Sequence, residues 1–176
     1  MVNYLNQVSD FVANTNFSDL PHSAVDRARR VLADTIAAIA AGSAEPEVIA
    51  LIKRTTNQHG PSRLIGSGER AEPAMAAFLN GTAGTFLELD EGNQFSRGHP
   101  GIHALPAILA LAEQCGSTGR DFLTALIIGY EIGARIGIAS RILPSMHPHG
   151  TWGTVGSAVA VAKLLGLSSE KVREII

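Results

Sequence analysis

The chain has 176 residues, 45% of them apolar and 17% charged, which is enough apolar material for one domain with a sizeable core. Its net charge of −2 and the absence of any long basic run argue against nucleic acid as a partner. A single cysteine, Cys115, excludes an internal disulfide, an iron–sulfur cluster and a Cys-rich zinc site, and fits a reducing compartment.

Met1 to Leu5 shows no basic stretch leading into an apolar one, and the most apolar window, Phe122 to Tyr130, is far too short to span a bilayer. A cytoplasmic protein with no membrane partner is expected. Aromatic residues make up 5%, whereas Ala, Ile, Leu and Gly dominate, a mixture suited to closely packed helices. The fold class expected is all-α, a helical bundle with at most one very short strand.

In chain order, Val2, Leu5, Val8, Phe11 and Val12 recur at helical spacing until the polar turn Asn14 to Ser18. Ser18 or Asp19 is placed to cap a second helix, with Pro21 in its first turn and an apolar stripe from Ala24 through Ile39 to Gly42. Asp34 interrupts that stripe and is expected to hold a neighbouring backbone or basic group. A third helix follows Glu45-Pro46. Arg63 to Gly66 is a strand remnant, and Ser67 to Arg70 a surface turn.

Glu72-Pro73 opens a fourth helix through Leu87, whose Gly81, Ala83 and Gly84 imply another backbone nearby. Pro106 to Ala112 and Asp121 to Leu143 read as two further helices. The second carries Ala125, Gly129, Gly133 and Gly137 every four residues, so one face is nearly bare. Each glycine costs about 1 kcal/mol relative to alanine inside a helix, and tight packing is the plain compensation. Thr151 to Leu165 is the next helix, stopped by Gly166, and a last one reopens at Ser168 and runs uncapped to Ile176. Residues 1–176 are therefore expected to be one partial domain of a longer, truncated protein.

His99, His103, His147 and His149 all lie beside glycine or proline, or near the start of a helix. The first pair is preceded by Glu88, Asp90 and Glu91, a loop able to hold a base poised near neutrality. The alternative is a solvated acidic turn with His99 as N-cap and Pro100 as the first helical residue. His147 and His149 stand immediately before the helix opened by Thr151, whose free amides would attract an anion such as a carboxylate. They could equally be satisfied by backbone carbonyls. The spacings His99/His103 and His147/His149 also admit a metal-binding reading, which neither spacing specifies.

The residues Leu32-Ala33-Asp34-Thr35-Ile36, Phe78-Leu79-Asn80-Gly81-Thr82-Ala83, Glu88-Leu89-Asp90-Glu91, His99-Pro100-Gly101 with Leu105-Pro106-Ala107, Gly129-Tyr130-Glu131 and His147-Pro148 together resemble the MmgE/PrpD family. That family includes 2-methylcitrate dehydratase, cis-aconitate decarboxylase and iminodisuccinate epimerase. The resemblance implies an all-helical N-terminal domain whose protein continues into a smaller α+β domain that closes over the site. It also implies a homodimer that works without metal or organic cofactor. Asp90, Glu91 and His99 fall on site positions, His147 matches the second histidine motif, and Glu88 stands where the family often has its first Asp.

Residues and resemblance together cast His147 and His99 as acid/base or substrate-orienting groups acting on a small carboxylate, with Asp90 holding or polarising one of them. Glu88, Glu91, Arg97, His149 and Thr151 are the expected substrate-binding groups, and no metal is assigned. The implied reaction is removal of a proton α to a carboxylate, as in a lyase or epimerase. The competing readings are a non-catalytic module that dimerises through the glycine-lined helix, and a His-rich metal-binding domain.

Overall fold

A computed structural model describes residues 3–55 and 60–176; Val2, the first residue of the apolar stripe expected in helix one, lies outside them. The elements are α1 (Tyr4–Asn14), α2 (His22–Gly42), α3 (Pro46–Thr55), a hairpin of β1 (Ser62–Arg63) and β2 (Arg70–Ala71), α4 (Pro73–Phe86), α5 (Pro100–Cys115), α6 (Gly119–Ala139), α7 (Trp152–Leu164) and α8 (Ser169–Ile175). The domain is all-α. Of the strand remnant expected at Arg63 to Gly66 only Arg63 is in a strand: β1 pairs antiparallel with β2, Ser62 opposite Ala71, and Arg70, expected in the surface turn, belongs to β2.

Helix ends follow local chemistry. Asn3 and Ser168 accept backbone N–H groups at the starts of α1 and α8. Thr118 and Asp121 form a reciprocal capping box on α6. Gly116 and Gly166 leave α5 and α7 with φ of 63° and 62°. Neither Ser18 nor Asp19 caps α2, as their order in the sequence had implied. Asp19 instead accepts the Asn16 N–H at 2.8 Å and closes a short 3₁₀ turn, Phe17–Asp19, leaving Pro21 at the N-cap of α2. Asp34 is exposed and makes no hydrogen bond or ion pair among the described residues, so its expected holding role is not found.

α5 starts at Pro100 with His99 at its N-cap, as the acidic-turn reading of the sequence has it, and not at Pro106, where the apolar run alone put its start. Pro106 lies inside the helix, where it removes only the rung to the Ile102 carbonyl, and the fully buried Leu105 and Ile108 keep the helix seated. α6 stops at Ala139, short of Leu143.

The bare face of α6 is covered inside the domain. A Cβ on Gly129 would lie 2.5 Å from the Ala160 Cβ, and one on Gly133 3.2 Å from the Gly156 Cα, so α6 and α7 pack nearly backbone to backbone. That correction removes the glycine row as a dimerisation face. For α4, the backbone approach expected at Gly81, Ala83 and Gly84 occurs only at Ala83, whose carbonyl fills the place a Cβ on Gly42 would take; Gly84 instead faces the Ile102 side chain.

Ile39, Leu79, Leu105, Ile108 and Leu126 centre the main core, while Val12, Ile128, Val159 and Val172 unite α1, α6, α7 and α8. α6 has the length and hydropathy of a membrane-crossing helix, with half of that window buried within the domain. The packing leaves the α4–α5 loop and the segment between α6 and α7 side by side.

Candidate active site

The α4–α5 loop, residues 87–99, is folded around Asn93. Its side-chain carbonyl accepts the N–H groups of Phe95 and Ser96 at 3.0 and 3.1 Å, and its own N–H donates to the Gly98 carbonyl at 2.8 Å. Glu88 and Arg97, near the two ends of the loop, hold positive φ of 53° and 57°. Below the turn, the Tyr130 hydroxyl of α6 donates to Glu91 Oε1 at 2.6 Å and accepts from Asn93 Nδ2 at 3.1 Å. Glu91 Oε2 accepts the Gly101 N–H at 2.9 Å, in the first turn of α5. Burial pushes the Glu91 pKa above the usual carboxylate range, against the pull of the Tyr130 and Gly101 bonds. Burial also raises the Tyr130 phenol, reinforced by its bond to Glu91.

This clamp aims Asp90 and His99. The Asp90 side chain is 2% exposed and its Oδ2 lies 3.2 Å from His99 Nδ1, close enough for charge attraction but without hydrogen-bond geometry. The Glu91 carbonyl is 3.0 Å from the same nitrogen. A nitrogen facing only acceptors carries the proton, so His99 is held as the Nδ1–H tautomer with Nε2 free to take a proton. Burial raises the Asp90 pKa, partly offset by His99.

The second segment, residues 140–151, is bonded mainly to itself. Pro148–Gly150 forms a 3₁₀ turn, His147 Nδ1 accepts the His149 N–H at 3.3 Å, and the Thr151 hydroxyl donates back to the His147 carbonyl at 3.0 Å. Trp152, at the start of α7, ties it to the rest. The indole is 3% exposed and occupies the space where a Cβ on Gly98 would come within 2.6 Å and one on Gly137 within 2.8 Å. Its ring also meets His103 edge-on at 4.9 Å between centroids.

The result is a histidine cluster drawn from both segments. The His149 ring lies 4.3 Å from His147, 4.7 Å from His103 and 5.9 Å from His99 by centroids, and its Nδ1 is hydrogen-bonded to His103 Nε2. Burial, then the neighbouring histidines, lowers His103 to about 3, and burial with His147 and His99 lowers His149. Among the described residues, no three His, Cys, Asp or Glu side chains form a group able to hold a metal ion.

Beside His103 and His149 opens a depression of about 300 Å³, walled by Phe78, Thr82, Thr85 and Ile102. A larger cleft of about 680 Å³ lies where Glu91 and Tyr130 face Arg27, Val31 and Phe95, and it contains no histidine. Of the histidine cluster, His103 and His149 line the smaller depression, whereas Glu91 and Tyr130 line the larger cleft, which the α4–α5 loop closes between α2 and α6.

Of the residues read from the sequence, Asp90, His99, His147 and His149 are brought together. Glu91 is occupied by Tyr130 and Gly101 and faces the larger cleft. Glu88 is exposed. Arg97 is exposed and donates to the Ser140 carbonyl at 2.9 Å, linking the two segments. Thr151 spends its hydroxyl on its own turn. Residues given no site role from the sequence are Tyr130, Asn93, Trp152 and His103, the last legible there as one of four clustered histidines and by its four-residue spacing from His99. That spacing places both rings on one face at the start of α5.

Comparison with known proteins places this geometry in a family context. The model of the MmgE/PrpD N-terminal domain matches residues 6–176. A cis-aconitate decarboxylase-like protein of Aspergillus oryzae is 32% identical over 177 residues, 93% of this chain and 37% of the relative. The cis-aconitate decarboxylase of Aspergillus terreus is 28% identical, covering 96% of this chain and 36% of its own length. The human cis-aconitate decarboxylase is 31% identical, covering 85% and 33%. The chain thus spans about a third of the length of these relatives.

Proposed function

Because this chain belongs to the MmgE/PrpD family, we propose that the intact protein is a lyase, or an epimerase, that moves a proton α to a carboxylate of a small di- or tricarboxylate. The reading is of the 2-methylcitrate dehydratase and cis-aconitate decarboxylase kind, and it uses neither metal nor organic cofactor. Relatives that carry the name cis-aconitate decarboxylase support a tricarboxylate as substrate.

The observation that carries it is the buried Asp90 against His99 Nδ1, with the His147 and His149 rings gathered beside them. His99 takes a proton on Nε2, and Asp90 favours the imidazolium that forms. The electron pair left on carbon is delocalised into the adjacent carboxylate, where N–H donors oppose the developing charge. His147 stands on the exposed side as the second acid/base group, able to protonate a departing hydroxyl. For decarboxylation the transfer runs in the other sense, delivering a proton to the carbon that carbon dioxide leaves. The proposal includes a cytoplasmic homodimer whose remaining sequence covers the depression, so that these 176 residues alone turn over slowly or not at all.

Proton NMR in D₂O on the intact protein, with a panel of di- and tricarboxylates, detects exchange, dehydration, decarboxylation and inversion in one experiment. His99→Ala and His147→Ala are each expected to lose about 10²-fold or more of the activity, the scale of general acid–base catalysis. Full activity in both variants overturns the assignment.

A further inference from the structure

The pair formed by His103 and His149 is not used by the acid/base reading above, and its hydrogen bonding fixes more than its position. His103 Nε2 and His149 Nδ1 are bonded to each other, and His103 Nδ1 is buried without a partner. A proton on His103 Nδ1 would strand a buried donor, which folded proteins tolerate less readily than a bare acceptor. His103 therefore carries its proton on Nε2 and donates it to His149 Nδ1. His149 in turn must hold its own proton on Nε2, for which no hydrogen bond is present among the described residues.

The geometry points to His103 as a positioning residue that locks His149 in the Nε2–H tautomer, so that His149 offers a neutral N–H donor to a substrate carboxylate or carbonyl oxygen in the depression beside it. The ring cannot turn freely. Trp152 meets His103 edge-on, and the His103 ring fills the space that a side chain at position 153 would need, its Nδ1 lying 2.5 Å from a Cβ built on Gly153. Burial disfavours the cationic form of both rings. A neutral donor binds oxygen without competing for the proton that His99 and His147 exchange, which separates binding from acid/base work within one histidine cluster.

The part concerning substrate rests on the proposed function; the tautomer does not, and the experiment reads the two separately. Long-range ¹H–¹⁵N correlation spectra of the intact protein labelled in histidine nitrogen, with His149 assigned by loss of its signals in His149→Gln, should show a protonated Nε2 and a bare Nδ1 at neutral pH. His103→Gln keeps a donor at the Nε2 position and should preserve that pattern. His103→Leu removes the donor and His103→Asn withdraws it from reach, so in either variant His149 should drift to a mixture of tautomers; the Asn variant serves if the Leu variant fails to fold. Protonation of His149 on Nδ1, a cationic His149, or a pattern indifferent to both His103→Leu and His103→Asn each overturns the inference. In turnover assays KM should rise about tenfold in the donor-less variants and recover in His103→Gln, and an unchanged KM overturns the donor's role toward substrate while leaving the spectra to judge the tautomer.

Discussion

The segments 87–99 and 140–151 bring histidines to the same place by different means. The first is organised from within: Asn93 satisfies its turn, and the Glu91 carboxylate fastens it to both α5 and α6. The second closes only short bonds on itself and is attached mainly through Trp152, the residue next in the chain, and through the His103–His149 contact. The difference matters because a general base needs its tautomer and aim fixed, whereas a group serving the exposed side of a site can sit on a lighter framework. His99 is on the first kind of support and His147 on the second.

Trp152→Ala breaks the comparison most severely, since it removes the wedge on which both segments rest. A buried Trp to Ala change costs about 3–5 kcal/mol. For a chain of this size that is roughly 6–20 °C in the melting temperature, measured by thermal unfolding. A loss confined to a degree or two would show that the segments are independent.

Tyr130→Phe should act on the first segment alone, at about 1–3 kcal/mol for a buried carboxylate deprived of its donor. It also has a signed pH signature. Because Glu91 is pushed above its unfolded value, the folded state binds more protons, and stability falls as pH rises from the ordinary carboxylate range through the raised value. Without the Tyr130 bond the raised value climbs further, so denaturant titrations across that range should show the decline extending to higher pH. An unchanged pH curve would mean that the hydroxyl does not reach Glu91 in solution.

Arg97→Ala is the mildest test. Its guanidinium is exposed and supplies a side-chain tie between the segments at Ser140, so a cost below about 1 kcal/mol is expected in urea unfolding. A larger cost would show the second segment to be anchored there and not at Trp152.

Helices were legible wherever an apolar stripe and a local stop coincided, as in α2, α4 and α7. The start of α5 was legible from His99-Pro100 as cap and first residue, but its continuity through Pro106 was not, because the buried residues that carry the helix through that proline belong to a core assembled from other elements. The histidine cluster was legible as two separate motifs, since each sits next to glycine or proline. Tyr130 was not, because its partners Glu91 and Asn93 are 39 and 37 residues away and a tyrosine in an apolar helix reads as core. The link between His103 and His149, 46 residues apart, exists only once α5 and α7 are packed together.

Trp152 is the sole tryptophan in the sequence, and its indole lies against His103 at the centre of the cluster. All indole fluorescence from these residues is therefore emitted at the site itself. Imidazolium quenches an adjacent indole more strongly than neutral imidazole does, and exposure to water shifts the emission to the red. The wavelength of that single fluorophore thus records the wetting of the junction between the two segments, and its intensity the protonation of His103, which burial confines to strongly acid solution.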